Sequence, residues 1–162
     1  MTNKNNFFKL SSSGFTLIEL LVVFSIIAIL SGVGVYTFGN YNKSQVFQQG
    51  YDNFVQTLNV AKSRAMSQVD SCPAGESLNG YSVIILSSSS YSLNVVCSNP
   101  TLISSYTLPT GVNFLISSAT ILFPVVSGTA VIDGATEGSI TITLTGLTKT
   151  KNVTVDSSGL IE

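Results

Sequence analysis

A single carboxylate lies inside the longest apolar run of this chain. Glu19 interrupts the segment KLSSSGFTLIELLVVF at residues 9–24, and the next charged residue is Lys43. A charge at the centre of a bilayer costs about 2.5–3.5 kcal/mol even on lenient scales, so an acid in such a run generally marks a function and needs a partner. The chemistry to be explained is therefore an ion pair formed in apolar surroundings.

Proteolysis between Gly14 and Phe15 would supply the missing cation. Cleavage there leaves an α-amino group on Phe15 and makes Glu19 the fifth residue of the shortened chain, one helical turn from the new amine. The carboxylate can then pair with the ammonium group of its own chain or of a neighbouring subunit, near the positive end of the helix dipole. An amine from a neighbour would also set an axial register between packed helices, as polar residues do in coiled coils.

Two simpler interpretations of the N-terminal run compete with this one. A secretory signal peptide would explain Lys4 and Lys9, but its apolar segment spans only about 7–15 residues and ends at an A-x-A-like site. The apolar run at residues 17–38 is longer, and no such site follows it. A plain signal anchor explains the length, because about 20 helical residues cross a bilayer, and it keeps the two lysines cytoplasmic. Neither interpretation explains Glu19.

The motif GFTLIELLVV at residues 14–23 resembles the class III signal sequence of type IV prepilins and type II secretion pseudopilins. In that family a prepilin peptidase cuts after the glycine and methylates the new N-terminal phenylalanine. The resemblance therefore implies Gly14 and Phe15 as the processing site and Glu19 as the residue for assembly. It implies three partners: the peptidase, other pilins or pseudopilins in a filament, and an inner-membrane assembly platform. It also implies a single-pass inner-membrane protein with an extracytoplasmic C-terminal domain, which later joins a pseudopilus or an extracellular pilus.

Two further segments resemble GspH-like and FimT-like minor pilins. Residues 58–66, LNVAKSRAM, are similar to their L-x-x-A-R-S-x-A pattern, and NVTVDSSGLIE at residues 152–162 is similar to the GspH-type final strand. Leu160 stands where that family often has arginine. In FimT-like proteins basic residues near the C-terminus bind DNA, and here only Lys149 and Lys151 are candidates. Because phosphate binding needs several cations together and the net charge is −1, we do not expect nucleic acid as a partner.

The resemblance thus implies a structural minor pilin or pseudopilin, with a pilus-tip subunit for DNA binding or adhesion as the alternative. We expect no enzyme and no cofactor. The chain has no histidine, so no nucleophile–base pair can be singled out.

The two cysteines, Cys72 and Cys97, are a candidate disulfide. An apolar N-terminus that implies export, together with an even cysteine count, favours one disulfide over two unpaired buried thiols. A bond closing a loop of this length stabilises a fold by about 3 kcal/mol in the entropic model.

A weak calcium candidate lies on a glycine-containing loop. Asp133 and Glu137 are four residues apart and offer two carboxylates, whereas Ca²⁺ takes six or more oxygen ligands. We therefore favour a plain turn and expect no metal.

A long helix and a β-rich domain must position these residues. We predict a leader at residues 1–14, a transmembrane or filament-core helix at 15–39, its amphipathic half at 40–70 and a globular domain at 71–162. One helix is expected from Phe15 to Val69, with a disturbance at Gly32–Gly39 and at Gly50 because glycine lowers helix stability. Spacings of three and four predict a buried stripe: Val46, Phe47, Tyr51, Phe54, Val55, Leu58, Ala61, Ala65 and Val69.

Beyond Asp70 the helical period ends, and short runs rich in Val, Ile, Thr and Tyr alternate with turn residues. We predict an α+β, type IV pilin-like fold, in which two small antiparallel sheets pack on the helix. The predicted strands are Tyr81–Leu86, Tyr91–Cys97, Leu102–Leu108, Val112–Ile116, Thr120–Val126, Thr129–Ile132, Ser139–Leu144 and Lys151–Val155.

Overall fold

The computed structural model describes residues 14–69, 72–98, 100–133 and 137–162, with the side chains of residues 33–38 and 100 left out of the description. The predicted leader apart from Gly14, including Lys4 and Lys9, lies outside these ranges, as does Asp70 of the predicted loop. The chain divides between Asn40 and Tyr41 into two compact units, which are described separately.

Helix α1 spans Leu17–Met66, close to the range predicted from the sequence. Thr16 caps its first turn, because the Thr16 hydroxyl oxygen accepts a hydrogen bond from the Glu19 N–H at 3.3 Å. The helix continues through Gly32–Gly39 and through Gly50, so the disturbance predicted at those glycines is not present.

The C-terminal end of α1 is closed by a left-handed residue. Gln68 has φ +48°, its N–H donates to the Ala65 carbonyl at 3.3 Å, and the Val69 N–H donates to the Arg64 carbonyl at 3.1 Å. This pattern is a Schellman motif, which satisfies carbonyls that the helix leaves unpaired. Since the helix has ended, Val69 leaves the buried stripe and is 45% exposed, so its predicted burial is wrong.

The second unit contains the eight strands predicted from the sequence, arranged in two antiparallel sheets. The larger sheet has the order β3-β2-β1-β5-β6 and the smaller one the order β4-β7-β8. This confirms the α+β class. The strands are β1 Gly80–Ser87, β2 Ser90–Val96, β3 Pro100–Thr107, β4 Val112–Phe114, β5 Ala119–Pro124, β6 Val131–Ile132, β7 Ser139–Gly146 and β8 Lys149–Asp156.

The hydrophobic core joins the helix stripe to the inner faces of both sheets. Phe54 is fully buried, and its ring meets Tyr91 edge to face with centroids 5.1 Å apart and Phe114 at 5.0 Å. Burying a side chain of this size stabilises the fold by about 1.5–3 kcal/mol. The other buried members of the stripe are Phe47, Leu58, Ala61 and Ala65, and they meet alternate residues of the strands: Tyr81, Val83, Ile85, Leu93, Val95, Ile142, Leu144, Val153 and Val155.

Among the α1 residues whose burial the structure describes, the two buried residues without an apolar side chain are Gly50 and Thr57. At Gly50 an added Cβ would lie 2.9 Å from Pro109 Cδ, so the glycine allows the loop before β4 to approach the helix. Thr57 is 7% exposed, and its hydroxyl donates to the Asn53 carbonyl at 2.8 Å, which removes the cost of burying an unpaired donor.

Side-chain hydrogen bonds join α1 to the C-terminal part of the chain. The Tyr51 hydroxyl donates to the Asn152 carbonyl at 3.3 Å, and the Lys62 ammonium donates to the Gly159 carbonyl at 2.8 Å. From the turn after β5, the Val126 N–H donates to the Ala65 carbonyl at 3.2 Å. These contacts lie at three levels along the second unit's part of the helix.

A disulfide joins Cys72, in the loop after α1, to Cys97, directly after β2, with the two Cα atoms 5.9 Å apart. Two hydrogen bonds hold the same region: the Asn79 amide donates to the Cys97 carbonyl at 2.7 Å, and the Tyr81 hydroxyl donates to the Val69 carbonyl at 2.5 Å. The connection between helix and sheet is therefore held covalently and by hydrogen bonds.

Candidate functional site

The predicted processing site lies just before α1, in an irregular and exposed segment. Gly14 has no atom within 4 Å of an added Cβ, and its backbone is outside the left-handed region. Phe15 is 80% exposed. None of the described residues therefore requires a glycine at position 14, and the Phe15 side chain is largely open to solvent.

Glu19 lies in the first turn of α1 with its side chain exposed. The spacing T-x-x-E from Thr16 to Glu19 is that of a capping box, and the Thr16 half of it is formed. A carboxylate in this turn is favoured by the positive end of the helix dipole. Within the described part of the single chain, its carboxylate has no cationic partner.

The helix surface around Glu19 is apolar on every side. Leu17 is 85% exposed, and Phe24 is 62% exposed. A helix that is apolar all round is stable only where other groups bury it. The further members of this surface are Ile18, Leu20, Leu21, Val22, Val23, Ile26, Ile27, Ile29 and Leu30.

In the part of the chain that the structure describes, no helix combines the length and the apolarity required for crossing a membrane.

The two lysines considered for DNA binding contact the helix. From β8, the Lys149 ammonium donates to the Ser44 hydroxyl at 2.5 Å, and the Lys151 ammonium donates to the Gln48 carboxamide oxygen at 2.9 Å. Lys151 also lies 4.5 Å from the centroid of the Tyr51 ring, a cation–π contact. Both cations therefore have a structural role in joining β8 to α1.

The two carboxylates considered for calcium are on either side of residues 134–136. One Asp133 carboxylate oxygen accepts a hydrogen bond from the Thr120 N–H at 2.7 Å, and the Asp133 N–H donates to the Thr120 carbonyl at 2.8 Å. Glu137 is exposed. No group of three or more His, Cys, Asp or Glu residues gathers among the residues described. Asp133 thus continues the pairing of β5 and β6 by one residue beyond the end of β6.

A second region, which the sequence reading did not identify, is a cleft of ≈ 330 Å³ between α1 and strands β2 and β3. Asn53 and Gln56, both exposed on α1, line it from the helix side. Two lining tyrosines, Tyr91 and Tyr106, pair across β2 and β3. Only this long-range register brings them to the helix, so no local signal could have revealed the cleft.

Comparison with known proteins identifies one matching segment. Residues 9–35 match the family model described as the prokaryotic N-terminal methylation motif. No curated protein and no solved structure gives a significant match. The matched residues include Gly14, Phe15 and Glu19.

The match supports a type IV pilin-like family for the chain. Proteins with this motif are processed by prepilin peptidase and assemble with other pilins, and their family is structural rather than enzymatic. The motif also suggests an N-terminus anchored in the inner membrane.

Proposed function

We propose that this chain, whose N-terminal motif supports a type IV pilin-like family, is a structural minor pilin or pseudopilin of the GspH-like and FimT-like kind. Prepilin peptidase hydrolyses the bond between Gly14 and Phe15. It then transfers a methyl group from a sulfonium methyl donor, which leaves as the thioether, to the new amine of Phe15, which loses a proton. The processed subunit is thereby released for a type II secretion pseudopilus or a type IV pilus. One observation carries the proposal: no described residue requires a glycine at position 14, yet Gly14 directly precedes an exposed phenylalanine that lies four residues before Glu19.

Cleavage is compatible with the local structure. The bond lies outside α1, so the peptidase can bind an irregular segment without unwinding the helix. Thr16 stays in the shortened chain, so its hydroxyl continues to cap the Glu19 N–H after the leader has gone. The carboxylate therefore remains in the first turn, beside the amine that hydrolysis creates.

The exposed apolar surface of α1 then has two successive environments. Lipid of the inner membrane buries it first, with the β-rich domain outside the cytoplasm. Other pilin helices bury it after assembly. Pairing of Glu19 with an ammonium group makes the second environment tolerable for the charge, because a buried carboxylate is stable only when it is paired.

Replacing Gly14 tests the proposal in a host that contains a prepilin peptidase. We expect a Gly14→Val variant to keep its leader, while the wild-type chain begins at a methylated Phe15, as intact-mass measurement and N-terminal peptide sequencing will show. Gly32→Val is the matched control, because Gly32 likewise has no neighbour within 4 Å of an added Cβ, and it should be processed normally. A methylated Phe15 in the Gly14→Val variant, or an assembled wild-type fibre that still begins at Met1, would contradict the proposal.

A further inference from the structure

The cleft between α1, β2 and β3 is an uncharged site with one aromatic wall and one amide wall. Polar and aromatic groups make up most of its lining, and none of the described residues that line it is charged. The lining residues are Asn53, Gln56, Thr57 and Val60 on the helix, with Tyr91, Leu93, Tyr106 and Thr107 on the strands. From this arrangement we propose that the cleft binds a neutral saccharide. The proposal is independent of the processing and assembly proposed above.

The aromatic wall is a preorganised platform. The Tyr106 ring stacks on the Tyr91 ring with centroids 5.2 Å apart and an interplanar angle of 18°. Tyr91 is buried and is held edge-on by Phe54 at 5.1 Å and by Phe114 at 5.9 Å. Tyr106 is 36% exposed, so the outer ring of the pair meets solvent while the inner ring fixes its plane. A ring fixed in this way loses little freedom when a ligand packs on it.

The amide wall supplies hydrogen-bond donors and acceptors that no described group of the protein uses. Within the described residues, the carboxamides of Asn53 and Gln56 and the hydroxyl of Thr107 form no hydrogen bond. A carboxamide both donates and accepts, which suits adjacent hydroxyl groups of a ligand. Thr57 is already engaged, because its hydroxyl donates to the Asn53 carbonyl and also pairs with Tyr91. Burial of Tyr91 raises the pKa of its hydroxyl above the ordinary value. Like any tyrosine it is neutral at physiological pH.

These groups select one chemical class. Without a lysine, arginine, aspartate or glutamate in the lining, the cleft offers no counter-ion to a charged ligand, which would lose hydration on entering. A wholly apolar ligand would instead cover the carboxamides and leave them unpaired. A sugar ring satisfies both walls, because its C–H face packs on an aromatic ring and its hydroxyls reach the amides. The volume of ≈ 330 Å³ is at the lower end of the range of about 300–1,000 Å³ for small-molecule sites, which fits one or two sugar rings.

The test uses the full chain in micelles of a detergent that has no sugar headgroup, since a glycoside detergent would compete for the cleft. Neutral monosaccharides and disaccharides are titrated into ¹⁵N-labelled protein, and the amide resonances are followed by NMR. We expect saturable, millimolar or tighter binding by at least one sugar, with the shifts concentrated at Asn53, Gln56 and Thr107. Tyr106→Ala should weaken that binding about tenfold, whereas Tyr106→Phe, which keeps the platform, should retain it.

Two matched variants control for general effects. Gln49→Ala removes an exposed carboxamide from α1 outside the cleft, and Leu102→Ala trims β3 on its opposite face; both should bind as the wild type does. Thermal unfolding of each variant establishes that Tyr106→Ala, at an exposed position, remains folded. Three results would each overturn the proposal: no sugar shifts the cleft resonances, Tyr106→Ala binds as tightly as the wild type, or only an extended peptide binds, along the β3 edge.

Discussion

The two halves of α1 form one hydrogen-bonded helix, but their apolar residues have opposite surroundings. In residues 17–32 the apolar side chains point in every direction, and Phe24 is 62% exposed. In residues 41–66 they form a stripe, and Phe54 is fully buried against Tyr91 and Phe114. A stripe can be buried by the chain's own sheets, whereas a helix that is apolar on all sides needs lipid or other molecules around it.

The comparison assigns different tasks to the two segments. The second stabilises the fold, so substitutions there should change the free energy of unfolding. The first has its apolar surface uncovered by the described chain, so substitutions there should change association and leave unfolding almost untouched. Paired substitutions can separate the two tasks.

The largest effect on assembly is expected at Glu19. Its replacement by alanine should prevent assembly while leaving processing and the stability of the β-rich domain unchanged. The comparison variant is Glu19→Gln, because glutamine can still complete the capping box with Thr16 but carries no charge. Both variants should be processed at Gly14 and both should be absent from sheared filaments, as mass spectrometry of the filament fraction will show. Normal incorporation of Glu19→Ala rules out the pairing role, and rescue by Glu19→Gln alone means that capping, rather than charge, is what assembly requires.

Truncating one phenylalanine in each half gives the next largest effect. Phe54→Ala should lower the free energy of unfolding by about 3–5 kcal/mol, because it empties a packed site. Phe24→Ala should change it by less than about 0.5 kcal/mol, since the ring is exposed in the single chain. Denaturant unfolding of the two full-length variants, in micelles of the same detergent, measures both changes in the free energy of unfolding. Equal effects would show that the first half is packed against the rest of the chain.

Replacing Gly50 or Gly39 of α1 by alanine should change stability by smaller amounts, and the two changes should have opposite signs. At Gly50 the new Cβ would meet the Pro109 ring at 2.9 Å, and overpacking of this kind costs about 1–3 kcal/mol. At Gly39 nothing lies within 4 Å, so the better helix propensity of alanine should stabilise the local helix by about 1 kcal/mol. Thermal unfolding detects the first change, and slower amide hydrogen exchange around residue 39 detects the second. If Gly50→Ala instead stabilised the protein, the loop that contains Pro109 could move aside without a loss of stability.

The sequence predicted the elements of this fold well because their signals are local. Alternation in SITITLT and NVTV reflects strands with one buried face, and turn residues separate them. Local signals were insufficient where residues distant in the sequence determine the local structure. Gly50 seemed a weak point of the helix, but Pro109 packs against it. Val69 matched the stripe, but a left-handed Gln68 ends the helix pattern before it.

The two candidate sites differ in the same way. Gly14, Phe15 and Glu19 could be proposed from the sequence because they belong to a linear motif, which the family model also matches. The cleft could not, since Tyr106 reaches the helix only through the register between β2 and β3. The contacts of Lys149 and Lys151 with α1 were equally hidden, because they join residues 105 and 103 positions apart.

The hydrogen bonds that Tyr51 and Lys62 donate and the one that the Ala65 carbonyl accepts from Val126 also bear on how the second unit carries mechanical load. Because they are spread along the helix, a pull along its axis should load several of them together, whereas peeling from one end should load them one after another. We therefore expect the β-rich domain to withstand traction along its helix better than peeling.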